Sequence, residues 1–355
     1  MNLNVFNSGL IKEKFDAKYF SLSVSKDIKE VGKISWYKIK KTIGDYFNLA
    51  RVLKTEKPSL IYFAVSPVGF ALFKDFIFYS ITKIYRIPVV FHHHGKGVNA
   101  KGKSSSLYRF VYKRMFSNSY HICLSKELIS DLSDYFKKEP YVVPNGIADQ
   151  AGKIDGAKNK AKNCRIVYLS NFTINKGILD VINACKLLKE ENLGFQVSLV
   201  GKAFDISEKE LMIRISELGL DQFVKIIGPK YNDEKSNLLR ESDFFVFPTK
   251  YERESFPLVI LEAFQFGLPV ISTNEGGISS MIENNVQGYL IDKNDIVTLA
   301  NRMSHLIKNP DLIETMGKEA RKKYESSYTL EKFENCLVQT IDSILLNISS
   351  DKNIA

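Results

Sequence analysis

Short apolar runs alternate with amphipathic stretches along most of the chain. In the first half, residues 60–65, 89–93 and 121–124 read as buried strands and 141–144 as a last one. Helices are predicted between them, for example over 68–85 and 107–116. The second half is more regular. Its strands are predicted at 165–169, 196–200, 224–227, 244–247, 270–272 and 289–291. Helices at 176–190, 207–218, 233–241, 257–266, 277–284 and 295–308 follow most of them. Strand and helix in alternation predict an α/β fold with doubly wound parallel sheets. Residues 1–15 read as a helix and 329–348 as one more amphipathic helix. Between the halves, 148–163 is polar, with Ile154 its only large apolar residue, and reads as a linker. The expected division is a first domain over 1–150, a linker over 151–163, a second domain over 164–328 and a C-terminal helical segment over 329–355 that packs back toward the first domain.

Length agrees, since 355 residues suit two domains better than one. Cys123, Cys164, Cys185 and Cys336 are scattered, without metal-ligand or redox spacing, and read as reduced thiols. With no signal-peptide pattern at the start, a cytoplasmic location is expected. The most apolar stretch, 59–85, contains Pro67 and the Lys74-Asp75 pair and reads as folded elements, not as a membrane span. Charge is uneven. Residues 1–150 hold 24 Lys/Arg and 12 Asp/Glu, net +12; the remainder holds 26 and 28, net −2. The excess in the first half points to an anionic partner, such as a membrane surface, a lipid phosphate or a nucleic acid, or else serves solubility.

Residues 254–262, Glu-Ser-Phe-Pro-Leu-Val-Ile-Leu-Glu, carry the strongest chemical signal. Pro257 suits the start of a helix, so Glu254 falls in the preceding loop and Glu262 about a turn and a half inside. The free amides of a helix N-terminus attract phosphate. A carboxylate on each side then suits the hydroxyls of a sugar and of a ribose, the layout of a nucleoside-diphosphate sugar. The plainer reading is an acid favoured by the helix dipole plus an exposed helical glutamate. Against it, the neighbours of Glu262 are nearly all apolar, and a carboxylate in a buried helix needs partners.

Other candidates lie at strand ends. Lys176, in the 170–177 segment, opens a helix and suits a diphosphate, or is a surface lysine. Gly201 ends another strand, with Lys202 beside it. Gly276-Gly277 permits close approach to a ligand or forms a simple turn. His92, His93 and His94 end a strand; adjacent residues alternate faces, so the three cannot share one metal. Asp-x-Asp is absent from the sequence, and no catalytic metal or other cofactor is expected. Of the three, His94, beside Gly95, is best placed to reach a cleft, unless all are polar strand-end residues. The Gly/Ser/Lys-rich stretch 96–106 reads as a mobile loop.

The second half resembles the retaining glycosyltransferases of family 4, which have a GT-B fold of two Rossmann-like doubly wound domains facing across a cleft. The resemblance rests on 171–177, Val200-Gly201, 254–262, 267–271, Gly276-Gly277 and 288–290. In the first half it rests on His94-Gly95, Leu124-Ser125 and 143–147. It implies that Glu262 holds the donor ribose, Lys176 binds the diphosphate, and Glu254 contacts the donor sugar near the reacting carbon. Backbone amides near Ser255, Phe256, Pro257, Leu258 and Val259 would bind donor oxygens, and His94 would lie near the transferred sugar, with Lys96 on the acceptor side. The family needs no metal. Two departures stand out. Asn171 occupies the place of an arginine found in many relatives. The first strand and Gly-rich loop of the family are expected to be missing before Met1, through a late start or trimming.

The implied function is transfer from a UDP- or GDP-sugar to a lipid-linked oligosaccharide acceptor in bacterial surface polysaccharide synthesis. The protein would act peripherally on an anionic membrane surface at the inner face of the cell membrane. Alternatives are a nucleotide-sugar epimerase on the same fold and a non-catalytic binding or scaffold protein. A nucleic-acid partner is not expected, because no recognised binding motif is present.

Overall fold

Ten β-strands form two sheets among the described residues, and every strand pairing is parallel. The computed structural model describes residues 2–20, 36–152 and 163–354. It divides into one unit of Met1–Val143 with Glu334–Ala355 and another of Pro144–Phe333.

In the first unit, β1 (Ile61–Val65), β2 (Val89–His93), β3 (Tyr120–Cys123) and β4 (Tyr141–Val142) lie side by side in chain order. Because β1, β2 and β3 step in one direction through right-handed crossovers, their connecting helices share one face of the sheet. These are α4 (Phe70–Ile84) and α6 (Ser106–Phe116). The core forms where Phe91 of β2 meets Tyr79 of α4 and Tyr112, Met115 and Phe116 of α6. Beside α4 lies α3 (Trp36–Glu56), whose Leu49 and Leu53 pack with Phe78 and Ile87. The predicted helix over 1–15 is two short ones, α1 (Asn2–Asn7) and α2 (Gly9–Lys14). Ser8 divides them because its hydroxyl accepts from the Ile11 N–H and starts the second.

The expected mobile loop over 96–106 is instead largely helical, as α5 (Val98–Ser104). Asp131, more than thirty residues away, accepts from the N–H groups of Gly97, Val98 and Asn99 at 2.8, 3.0 and 3.1 Å. A carboxylate on the unpaired amides of a helix start stabilises it through both charge and hydrogen bonding. Local composition carries no sign of that distant partner.

The second unit holds β5 (Cys164–Leu169), β6 (Phe195–Val200), β7 (Val224–Gly228), β8 (Phe244–Phe247), β9 (Val270–Thr273) and β10 (Gly288–Ile291). Their order is β10-β9-β8-β5-β6-β7. All four residues of β8 and of β9 are buried, as in a parallel sheet covered on both faces. The helices are α7 (Ile178–Glu190), α8 (Glu208–Glu217), α9 (Asn232–Glu241), α10 (Leu258–Gln265), α11 (Ile278–Met281), α12 (Ile296–Lys308) and α13 (Pro310–Ser327). At the start of α8, Ser207 and Glu210 satisfy each other's backbone N–H groups in a capping box. Pro257 caps α10 from outside rather than opening it. The helix expected over 277–284 shortens to the four residues of α11, and α13 is an element that the periodicity reading does not contain. The last helix, α14, spans Leu330–Ile354.

Residues 153–162 of the expected linker lie outside the described residues, but its first part is held. Arg321 of α13 meets both carboxylate oxygens of Asp149, at 2.6 and 3.1 Å, and donates to the Gln265 carbonyl at the end of α10 at 2.6 Å. The Gln150 N–H also donates to the Gln265 side chain at 2.8 Å. The guanidinium thus ties α13, α10 and the 149–152 segment together, and its side chain is only 15% exposed. Removing it leaves a carboxylate and a helix-end carbonyl without their donor. Arg321→Met should therefore lower unfolding free energy by roughly 2–3 kcal/mol. The reading is a fall in the urea midpoint; an unchanged midpoint would show that the latch does not contribute.

Candidate functional site

The second sheet reverses its direction of growth at β5: β6 and β7 add on one side, β8, β9 and β10 on the other. Strands β5 and β8 are neighbours, with Ile166 opposite Phe244 and Val167 opposite Phe245. Loops that leave the carboxyl ends of two such strands diverge and open a crevice, the usual ligand position in an open α/β sheet. Lys176 comes from the segment after β5 and Glu254 from the segment after β8. Their side chains meet, with Nζ 2.5 Å from Oε2, although 78 residues separate them in sequence.

Each partner is held by more than the other. Thr249 Oγ1 donates to the same Glu254 oxygen at 3.3 Å. Lys176 Nζ stands 4.6 Å from the ring centroid of Tyr251 and 5.6 Å from that of Phe247, within cation–π range. Lys176 closes a short 3₁₀ turn, and Gly177 follows with φ 81°. A Cβ there would lie 2.2 Å from the Pro248 carbonyl oxygen, so only glycine lets the two loops pack this closely. Gly276 has a similar reason. Its φ is 58°, and a Cβ would lie 2.2 Å from the Glu254 carbonyl oxygen. Gly277 then donates its N–H to the Ser255 carbonyl at 2.6 Å. The close approach expected of this glycine pair is therefore to the protein's own Glu254 loop.

From that loop the chain enters α10. Phe256 and Pro257 are buried, and the Phe256 ring lies edge-on to Tyr328 at 5.8 Å. Ile260, Leu261, Ala263, Phe264 and Gln265 are buried, which leaves Leu258, Val259 and Glu262 on the one open face. Their i, i+3 and i+4 spacing brings them together. Lys235 of α9 donates to Glu262 Oε1 at 2.9 Å; Oε2 is buried and has no hydrogen-bond partner among the described residues. Asn171 and Gly201 follow β5 and β6 at the same sheet edge, with Asn171 exposed.

Thr249, Tyr251 and Lys235 were not singled out from the sequence. Nor was Lys250, whose ammonium meets Asp180 at 3.1 Å and Asn294 at 2.9 Å. Their only sequence signal was nearness to Glu254, and Lys235 lacked even that. Among the described residues no three His, Cys, Asp or Glu side chains gather as a metal site.

In the first unit the three histidines divide as strand alternation requires. His92 and His94 lie on one side, with ring centroids 4.1 Å apart. His93 Nε2 pairs with His121 Nδ1 at 3.0 Å, and His121 Nε2 donates to the Phe116 carbonyl at 2.9 Å. The Tyr62 hydroxyl pairs with His92 Nδ1 at 2.5 Å. His94 is only partly buried and stands just past the carboxyl end of β2; Lys96 follows before α5.

Residues 152–323 match the family model described as Glycosyl transferases group 1. The chain is 30% identical over 168 residues to the amylovoran biosynthesis glycosyltransferase AmsK of Erwinia amylovora, covering 46% of this chain and 41% of that one. It is 28% identical over 193 residues to the capsular polysaccharide biosynthesis glycosyltransferase CapM of Staphylococcus aureus, covering 52% and 49%. The chain thus spans about half the length of these curated relatives. Among solved structures it is similar to Anabaena HepE in complex with UDP, with a TM-score of 0.69 at 20% identity over 84% of this chain and 82% of that one. The fold is therefore of GT-B type, residues 152–323 of its second unit are similar to the group 1 glycosyltransferases, and these two relatives are named for bacterial polysaccharide and capsule biosynthesis.

Burial lowers the His121 ring to about 4 and holds His92 and His93 well below the ordinary 6.5. In an unfolded chain these rings take up protons once the pH falls below about 6.5, whereas the folded protein resists. Native stability is therefore complete above about pH 6.5 and falls on acidification toward pH 4, by about 1.4 kcal/mol per pH unit for each such ring. The single tryptophan, Trp36, lies in the first unit, so its fluorescence can follow urea unfolding there. The midpoint should drop between about pH 7 and pH 5, and less steeply in His121→Phe.

Proposed function

We propose that this protein is a retaining glycosyltransferase. It moves a sugar from a UDP- or GDP-sugar to a lipid-linked oligosaccharide during synthesis of a bacterial surface polysaccharide, working peripherally at the cytoplasmic face of the cell membrane. The observation that carries the reading is the convergence of Lys176, Glu254 and the first turn of α10 where the second sheet reverses. In support, relatives are named for amylovoran and capsular polysaccharide biosynthesis, and a protein of the same fold is described in complex with UDP.

In this reading Glu262 takes the ribose hydroxyls, and its buried unpaired Oε2 needs such donors. The diphosphate rests at the N-terminus of α10, where the first amides of a helix lack intrahelical partners, and draws Lys176 away from Glu254. Glu254, so released, faces hydroxyls of the donor sugar. As the bond from the sugar's anomeric carbon to the diphosphate breaks, its electron pair goes to the leaving phosphate, where Lys176 and the helix amides stabilise the growing charge; the acceptor hydroxyl oxygen bonds that carbon and gives its proton to the leaving phosphate. Asn171 supplies no charge, so Lys176 carries the larger share. His94 and Lys96 are assigned to the transferred sugar and the acceptor by the family resemblance. These fixed charges take the place of a metal ion, and no cofactor is needed.

Nucleotide-binding and transfer assays on the same variants test the roles. Glu262→Ala should weaken both UDP and GDP by about 1.5–3 kcal/mol, the worth of charge-assisted hydrogen bonds. Glu254→Gln should keep nucleotide affinity and cut transfer; the reverse pattern would exchange the two assignments, and no response of the wild type to any nucleotide would favour a non-catalytic protein.

Transfer from a donor panel to lipid-linked acceptors, followed by mass spectrometry, should persist in EDTA. Complete loss that a divalent ion restores would contradict the metal-independent reading.

A further inference from the structure

On the first unit, α3, α4 and α6 form one layer over one face of the sheet. Leu49 and Leu53 of α3 pack with Phe78 of α4, and the Tyr46 hydroxyl of α3 donates to the Lys74 carbonyl of α4 at 3.1 Å. Phe73 and Phe76 of α4 meet Tyr108 and Phe110 of α6, with centroids 5.1 and 6.4 Å apart. The inward sides of these helices account for their core residues.

Their outer sides are not uniformly polar. Phe47, Phe70, Ile77, Ile84, Leu107 and Phe110 are each between 47% and 77% exposed. Phe70, Ile77 and Ile84 recur at seven-residue spacing, so they form a line along α4 of roughly 21 Å. Scattered exposed apolar residues need no explanation, but a set of this size across three adjacent helices does.

Charge identifies the occupant. The three helices hold ten Lys/Arg against three Asp/Glu. Of the acids, Asp75 is buried and accepts from the Ser66 N–H, and Glu56 is paired with Lys18. Arg51, Arg109, Lys113 and Arg114 are exposed among the apolar residues. Large apolar side chains between long cationic ones suit the boundary of an anionic bilayer, where the rings enter and the cations reach headgroup phosphate. No helix among the described residues is long and apolar enough to cross a membrane, so the contact is in plane.

We propose that the outer face of α3, α4 and α6 is the docking surface for an anionic phospholipid bilayer. The inference gives a location to the membrane contact in the function proposed above, and rests on that reading only for its purpose.

Co-sedimentation with vesicles of phosphatidylcholine containing about a third phosphatidylglycerol tests it, beside vesicles of phosphatidylcholine alone. The wild type should pellet with the anionic vesicles and not the neutral ones, and should release as salt rises from about 0.05 M to 0.5 M. The charge variant Lys113→Glu/Arg114→Glu should weaken partitioning about thirtyfold or more. The apolar variant Phe47→Ser/Phe70→Ser/Ile84→Ser should weaken it at least as much, while both keep the wild-type melting temperature and thermal response to UDP. Variants that pellet like the wild type overturn the proposal, as does a wild type that ignores anionic vesicles at low salt. An apolar variant that turns an oligomer into a monomer by light scattering assigns the face to a second copy instead. Vesicle binding by a protein indifferent to UDP supports the surface and removes the transferase reading; a UDP response without vesicle binding removes the surface alone.

Discussion

The candidate site depends on one backbone constraint, the pairing of β5 with β8 where the second sheet changes direction. In a parallel sheet each strand delivers its following loop to the same edge, but strands on either side of a reversal send those loops apart. The crevice is thus a consequence of strand order, and Lys176 and Glu254 meet in it because their loops leave adjacent strands.

Around that pairing the unit spends its special conformations. Gly177 lets the loop after β5 come against Pro248, and Gly276 lets the segment after β9 come against the Glu254 carbonyl. The carboxylate is held by Lys176 and Thr249, and the ammonium by two aromatic faces. A largely buried pair of this kind contributes little net stability, since desolvation opposes attraction. Its more important property is that either partner can be exchanged for a ligand group of the same charge, which suits an anion arriving at the start of α10. Arg321 secures the far end of that helix, so both ends of α10 are fixed by residues distant in sequence.

The first unit treats its polar residues differently. Four histidines lie at or beside the sheet, but His92, His93 and His121 are bound to Tyr62, to one another and to a backbone carbonyl, and burial keeps them neutral. They are parts of a polar core joined by these hydrogen bonds, with His92 Nε2 buried and unpartnered among the described residues. Arg51, Arg109, Lys113 and Arg114, by contrast, stand outside, among exposed aromatic and aliphatic side chains on one helical layer.

Hydrophobic periodicity alone determined the α/β class, the positions of nearly all strands and the placement of Glu254 before a helix and Glu262 within it, because these follow from local spacing and from Pro257. It failed where a distant group decided the local state. Asp131 turns a Gly/Ser/Lys-rich stretch into α5, and α13 is largely polar and is tied through Arg321 to the distant Gln265 carbonyl; a local signal was missed as well, the Ser8 hydroxyl that caps α2. The sequence showed that Lys176 and Glu254 lie at strand ends. Only the tertiary structure decided that those strands are neighbours, that Gly276 serves the Glu254 loop, and that Lys235 reaches Glu262. Spacing along a chain records which residues share an element; which elements share an edge is set by strand order, and strand order is fixed by packing of the whole sheet.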